Sequence, residues 1–180
     1  MLLILYILLS VLGTIALLVI VAGFASPRVA RFQKSTEIAA PPAKIFPYLN
    51  SVKRFSDEWS PWTDKDPDAT HTFSGPAEGV GAAHAWTGDP KKVGTGTMVI
   101  TVSEPNRRVT CHLAFKGRGE ADAGWTLEDL GGGRTRVTWD FAADNGNNPI
   151  ARLFGRLMGS FLGLDYEKGL AKLKSICERA

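Results

Sequence analysis

The chain has 180 residues, 44% of them hydrophobic and 22% charged, with a formal net charge of +3. That length suits one soluble domain whose core needs neither disulfides nor metals. No Lys/Arg cluster reaches the density of a nucleic-acid-binding surface, so the charge balance argues against that class of partner.

The first segment, LLILYILLSVLGTIALLVIVAGFA over residues 2–25, carries no charged side chain. As a helix it is ~36 Å long, enough for the ~30 Å hydrocarbon core of a bilayer. A cleaved signal peptide is the competing reading, and AGFA offers small residues for cleavage. No basic residue precedes the run, however, and it is much longer than the ~7–15 apolar residues of a signal peptide. An uncleaved transmembrane anchor over residues 1–26 is favoured, with a domain over 27–180. Arg28, Arg31 and Lys34 follow the span directly. Basic flanks stay on the cytoplasmic side, which predicts a single-pass membrane protein whose domain faces the cytoplasm. Cys111 and Cys177 form no metal or redox spacing and read as small buried hydrophobes in a reducing compartment.

RFQKSTEIAA reads as a first strand, and APPAKIFPYLN as a helix with proline in its first turn. Pro47 inside that pattern predicts a short or kinked helix. SVKRFSDEWSPW predicts a second short helical turn, ended by Pro61. After Asp68 the texture changes to period-2 alternation broken by glycine. ATHTFSG, GAAHAWTG, GTMVITVSE, RVTCHLAFKG, AGWTLEDL and TRVTWDFAAD are six strands joined by PAEGV, DPKKVGT, PN, GRGEAD and GGGR. Connections this short join antiparallel neighbours.

The alternation marks one dry face. Met98, Ile100 and Val102 share a side, as do Val109, Cys111, Leu113 and Phe115, then Trp125 with Leu127, and Val137, Trp139 and Phe141. Thr101, Thr110, His112, Thr126, Arg136, Thr138 and Asp140 fall on the wet side.

A helix of roughly 30 residues, ~45 Å, closes the chain from Pro149. Ile150, Leu153, Phe154, Leu157, Met158, Phe161 and Leu162 recur at helical spacing, continued by Tyr166, Leu170, Leu173 and Cys177. Gly155, Gly159, Gly163 and Gly169 punctuate it, allowing close packing or a bend. A seven-stranded antiparallel sheet with one dry face and one long amphipathic helix buries both apolar surfaces by curling around the helix, an α+β architecture.

In this order, APPAKIFPYLN, EWSPW, GPAEGVGAAHAWTG, GGGRTRVTWDF and GLDYEKGLAKLK resemble the START/Bet v 1-like superfamily, SRPBCC, in its polyketide cyclase/dehydrase-like branch. The likeness spans roughly residues 30 to 178. It implies the helix-grip fold, with a hydrophobic cavity between sheet and C-terminal helix for lipids, sterols, polyketides or other apolar ligands. It implies no single reaction.

Inward positions then become ligand-binding candidates: Trp86, Met98, Ile100, Leu113, Phe115, Trp125, Trp139, Leu157 and Phe161. Trp59 and Trp62 either line the mouth or plug the sheet end as core. Three function readings stand. The first is a membrane-anchored binding domain for a hydrophobic small molecule, a lipid, isoprenoid or polyketide-like compound. The second is a cyclase or dehydratase using His84 or Glu58 as acid/base, with Asp57 beside Glu58 near the mouth. The third is a partner-binding domain without a cavity. His71, His84 and His112 share no metal-ligand spacing, and VGTGTM and GGGRT are turns between strands that cradle no phosphate. No cofactor or metal is expected. Lys91-Lys92 and Arg107-Arg108 lie in turns that face water or anionic lipid.

Overall fold

A computed structural model describes residues 2–179, so Met1 and Ala180, the outermost residues of the expected anchor and domain, lie outside the described residues. Helix α1 (Leu2–Ala25) is unbroken, and among its residues only Gly23 is buried. It is long and apolar enough to cross a membrane, with a mean hydropathy of 2.9 over its best stretch. Strand β1 (Val29–Ile38) leads to α2 (Pro42–Leu49), short as expected, with Pro47 inside its last turn.

The EWSPW region is more helical than its prolines suggest. A turn of helix α3 (Val52–Arg54), capped by the Ser51 hydroxyl, runs into a π-helical turn (Phe55–Trp59). As expected, the run stops just before Pro61, at Ser60 in extended backbone, but Pro61 then begins another helix, α4 (Pro61–Lys65). Ser60 caps it, its hydroxyl accepting from the Trp62 N–H at 3.3 Å. Proline at a first helical position forfeits no intrahelical bond, and Ser60 just before it supplies the cap.

Strands β2 (Thr70–Ser74), β3 (Ala83–Thr87), β4 (Thr95–Glu104), β5 (Arg108–Phe115), β6 (Gly119–Gly131) and β7 (Arg134–Asp144) complete one antiparallel sheet, ordered β1-β7-β6-β5-β4-β3-β2. All six expected strands are present. β6 begins at Gly119, inside the segment expected as a GRGEAD connection, because Glu120 and Asp122 alternate outward on a paired strand. The dry face carries Ile100, Val109, Cys111, Trp125, Val137 and Trp139, all buried. His112 lies outside and contacts Asp122 at 2.9 Å. Cys111 and Cys177 are free and buried, and burial pushes their thiols up to about 12 and about 11.

Helix α5 (Pro149–Glu178) is the expected 30-residue helix, capped by the Asn148 side chain accepting from the N–H groups of Ile150 and Ala151. Its inner face differs from expectation. In the first half Gly155 and Gly159 take the positions closest to the sheet, with Met158 and Leu162 packed on the core beside them. A Cβ at Gly155 would stand 2.9 Å from Ala30 Cβ, and one at Gly159 would stand 2.9 Å from Phe32 Cδ2. Glycine lets this helix lie close on β1. Leu157 (46% exposed) and Phe161 (64% exposed) therefore point away from the sheet. Farther along, Tyr166, Leu170, Leu173 and Cys177 face inward.

Candidate functional site

Between the curled sheet, the Phe55–Lys65 region and α5 lies a cavity of about 250 Å³. Its walls come from alternate inward positions of β3 to β7. Trp86, Met98, Leu113, Phe115, Trp125 and Trp139 line it, as does Trp62 from α4. These are seven of the eleven residues singled out from the sequence.

The other four lie elsewhere. Trp59 is fully buried core: its ring meets Phe55 edge-on at 4.7 Å, and its indole N–H donates to the Tyr48 carbonyl at 3.2 Å. Ile100 is buried in the core beyond the cavity. Leu157 and Phe161 are on the outer face of α5 because the glycine face took the sheet. The two tryptophans of EWSPW thus divide the alternatives: Trp59 plugs the core and Trp62 lines the space.

The aromatic wall is continuous. Trp139 stacks on Tyr166 at 4.0 Å between centroids, and Trp62 meets Trp139 edge-on at 5.6 Å. Such pairs add roughly 0.5–1.5 kcal/mol each beyond burial and keep the wall rigid. Polar groups interrupt it at few points. The indole N–H groups of Trp125 and Trp139 are buried without a hydrogen-bond partner among the described residues.

Two histidines that share no sequence spacing meet here. His71 Nδ1 lies 2.8 Å from His84 Nε2, with the rings stacked at 5.1 Å between centroids. Their other nitrogens, His71 Nε2 and His84 Nδ1, are buried and unpartnered among the described residues. Burial lowers the His84 pKa to about 4, and neighbouring His71 pushes the same way, so His84 is neutral at physiological pH. A neutral pair bonded this way leaves one outer nitrogen as donor and the other as acceptor, whichever tautomer holds the proton. Ser56 Oγ lies 3.5 Å from His71 Nδ1, too far for an activated nucleophile.

Glu58 does not reach the cavity. Its carboxylate takes the Arg54 guanidinium at 2.9 Å and, with Asp57, borders a separate groove of about 320 Å³ beside Phe73 and residues 74–78. Residue reasoning missed His71, Ser56, Tyr166, Lys92 and Arg118, all of which line the cavity. The hairpin register could have found His71: Phe73 pairs with His84, which puts His71 on its diagonal.

The loop over 88–94 and the turn over 116–118 border the cavity through Lys92, Val93 and Arg118. Arg118 Nη2 donates to the Pro90 carbonyl at 2.9 Å, joining the two. Asp66 anchors the loop from the other side, accepting from the Asp89 N–H at 2.7 Å and from Lys92 Nζ at 3.3 Å. The Asp89 N–H chiefly, and Lys92 after it, hold the Asp66 carboxyl below the usual range.

The family described as polyketide cyclase / dehydrase and lipid transport matches residues 29–178. The chain belongs to that family. Its fold is shared with a Chromobacterium violaceum protein (TM-score 0.58, 13% identity) over 84% of this chain and 99% of that one. An Arthrobacter aurescens protein is similar at TM-score 0.60 and 17% identity, over 84% of this chain and 87% of the other. The di-domain ARO/CYC BexL from the BE-7585A biosynthetic pathway is similar at TM-score 0.58 and 14% identity, over 85% of this chain and 51% of BexL. No curated protein matches the chain. The helix-grip architecture of the family is the one built here from β1 to α5.

Proposed function

We propose that this member of the family is a membrane-anchored binding domain for a compact hydrophobic molecule carrying an oxygen function. The observation that carries the reading is the cavity. It is walled by aromatics, Trp125 and Trp139 among them, whose indole N–H groups are buried and have no partner among the described residues. An apolar pocket with few polar groups selects an apolar body and orients it by one or two hydrogen bonds. At about 250 Å³ it is near the small end of ligand pockets and admits a ring system or one end of a longer chain. A whole diacyl lipid exceeds it. The 24-residue apolar α1 supports the anchor, and the basic residues after it support a cytoplasmic domain.

Native mass spectrometry of the full chain, released from detergent in the gas phase, tests this. A co-purifying small mass that disappears in Ala123→Phe, which fills the cavity, is the expected result. A bare chain after incubation with membrane lipid extract, with identical spectra for both proteins, overturns it.

The His71–His84 pair supports a second reading, a proton-transfer enzyme of the cyclase or dehydratase type. A neutral donor–acceptor pair at a cavity wall can take a proton at one outer nitrogen and return one from the other. Turnover of a bound polyketide-like ligand that is lost in His84→Gln, with the ligand still bound, would move the assignment to this reading.

A further inference from the structure

Five large apolar side chains of α5 have no cover. Ile150, Phe154, Leu157, Phe161 and Leu164, spaced by alternate fours and threes, are between 46% and 68% exposed. They form one stripe ~21 Å long on the side opposite the glycines. Beyond Leu164 the same face turns polar, with Lys168, Lys172, Ser175 and Arg179. An outer face that is apolar for half its helix and basic for the other half points to an interface covering the first half only.

Three observations place that interface at a bilayer. First, α1 meets α5 at the start of the stripe: Gly23 is buried, a Cβ there would overlap the backbone of Pro149, and the Arg152 guanidinium lies 5.8 Å from the Phe24 ring centre. The uncovered stripe therefore continues the apolar surface of α1. Second, the strand registers collect one set of ends together. Val29 pairs with Asp144, Phe115 with both Gly119 and Gly96, and Thr87 with both Thr95 and Thr70. The loop over 88–94 and the turn over 116–118 thus leave the sheet at the end where α1 enters and α5 begins. They bring exposed Lys91, Lys116 and Arg118, a basic rim suited to anionic headgroups. Third, the same loop and turn border the cavity, through Lys92 and Arg118, which are exposed to solvent and also line it.

We propose that the outer face of residues 150–164 lies in the headgroup region of the bilayer that α1 spans, so that the cavity opens toward the membrane. The proposal rests on reading α1 as the anchor. A ligand then passes between bilayer and cavity without crossing bulk water. Arg107-Arg108, at the opposite end of the sheet, faces away from the lipid.

Full chains in nanodiscs of phosphatidylcholine and phosphatidylglycerol, with lipids spin-labelled at the top of the acyl chain, provide the test. Cysteines at Leu12→Cys, Phe161→Cys and Arg107→Cys carry a fluorophore; the buried, high-pKa Cys111 and Cys177 stay unlabelled. Loss of emission at 161 as well as at 12, with none at 107, is expected. Emission kept at 161 while 12 is quenched overturns docking and leaves the anchor standing. Emission kept at both overturns the anchor reading too. Ready disulfide crosslinking of Phe161→Cys between chains, with emission kept at 161, assigns the stripe to a second copy and also overturns the proposal. Leu157→Asp combined with Phe161→Asp should release the face while the fold persists, seen as faster amide exchange limited to residues 150–164 with the sheet unchanged.

Discussion

His71 and His84 sit diagonally across the β2–β3 hairpin, with Nδ1 of one 2.8 Å from Nε2 of the other. The bond sits in the wall of an aromatic cavity, where a charged His84 ring would be costly. That cost has a measurable sign. The His84 pKa falls from 6.5 when unfolded to about 4 when folded, so the unfolded chain binds the proton first as pH drops. Stability is full above pH 6.5 and is lost as pH falls toward 4. The full shift is worth about 3 kcal/mol, and water reaching the cavity trims this to on the order of 2 kcal/mol. Urea midpoints by tryptophan fluorescence at pH 7 and pH 4.5 should show this loss, and His84→Phe should flatten it. An unchanged slope in His84→Phe would mean that another group governs acid sensitivity.

Gly169 and Gly163 should respond oppositely to alanine. A Cβ at Gly169 would stand 2.7 Å from Trp139 Cζ3 and 3.2 Å from Pro61 Cδ, whereas at Gly163 it would meet only Lys34 Cε at 3.9 Å. Helix propensity favours alanine by about 1 kcal/mol at both. Crowding costs roughly 1–3 kcal/mol at Gly169 alone. Thermal melts should therefore show Gly163→Ala stabilised and Gly169→Ala destabilised; stabilisation of both would mean that the Trp139 wall yields.

Trp139→Phe removes the indole N–H while keeping an aromatic wall. Affinity for an oxygen-bearing ligand should fall by up to about tenfold, the worth of one hydrogen bond. Affinity for a hydrocarbon of the same shape should change far less. Isothermal titration with a ketone and its deoxy analogue separates the two, and equal losses would remove the N–H from ligand recognition.

Asp66→Ala should loosen the cavity rim. It removes the acceptor for the Asp89 N–H and the partner of Lys92. Hydrogen exchange should quicken at residues 88–94, and bound ligand should leave faster. Unaltered exchange there would show that the Arg118–Pro90 bond alone holds the loop.

A C-terminal fusion reports topology. With the domain in the cytoplasm, a fluorescent-protein fusion should glow and an alkaline phosphatase fusion should be inactive. Active phosphatase would reverse the orientation and place Cys111 and Cys177 in an oxidising compartment.

Local pattern alone determined the strands and their wet and dry faces, because period-2 alternation is a property of a few consecutive residues. It also determined the long final helix, its start at Pro149, and the apolar α1. What only the tertiary structure decided is what each apolar face meets. Periodicity shows that α5 has apolar residues all along; it cannot show that Gly155 and Gly159 would take the sheet and turn Leu157 and Phe161 outward. Close approach to Ala30 and Phe32 settles that, and both come from a strand over a hundred residues earlier. Trp59 and Trp62 differ for a similar reason. The π-helical turn swings Trp59 onto Phe55 and the Tyr48 carbonyl, while the new helix at Pro61 presents Trp62 to the cavity. The histidine pair needed the hairpin register, which depends on how the chain folds back between two residues thirteen positions apart. Composition along the chain records which residues avoid water; three-dimensional packing assigns them to core, cavity or uncovered surface.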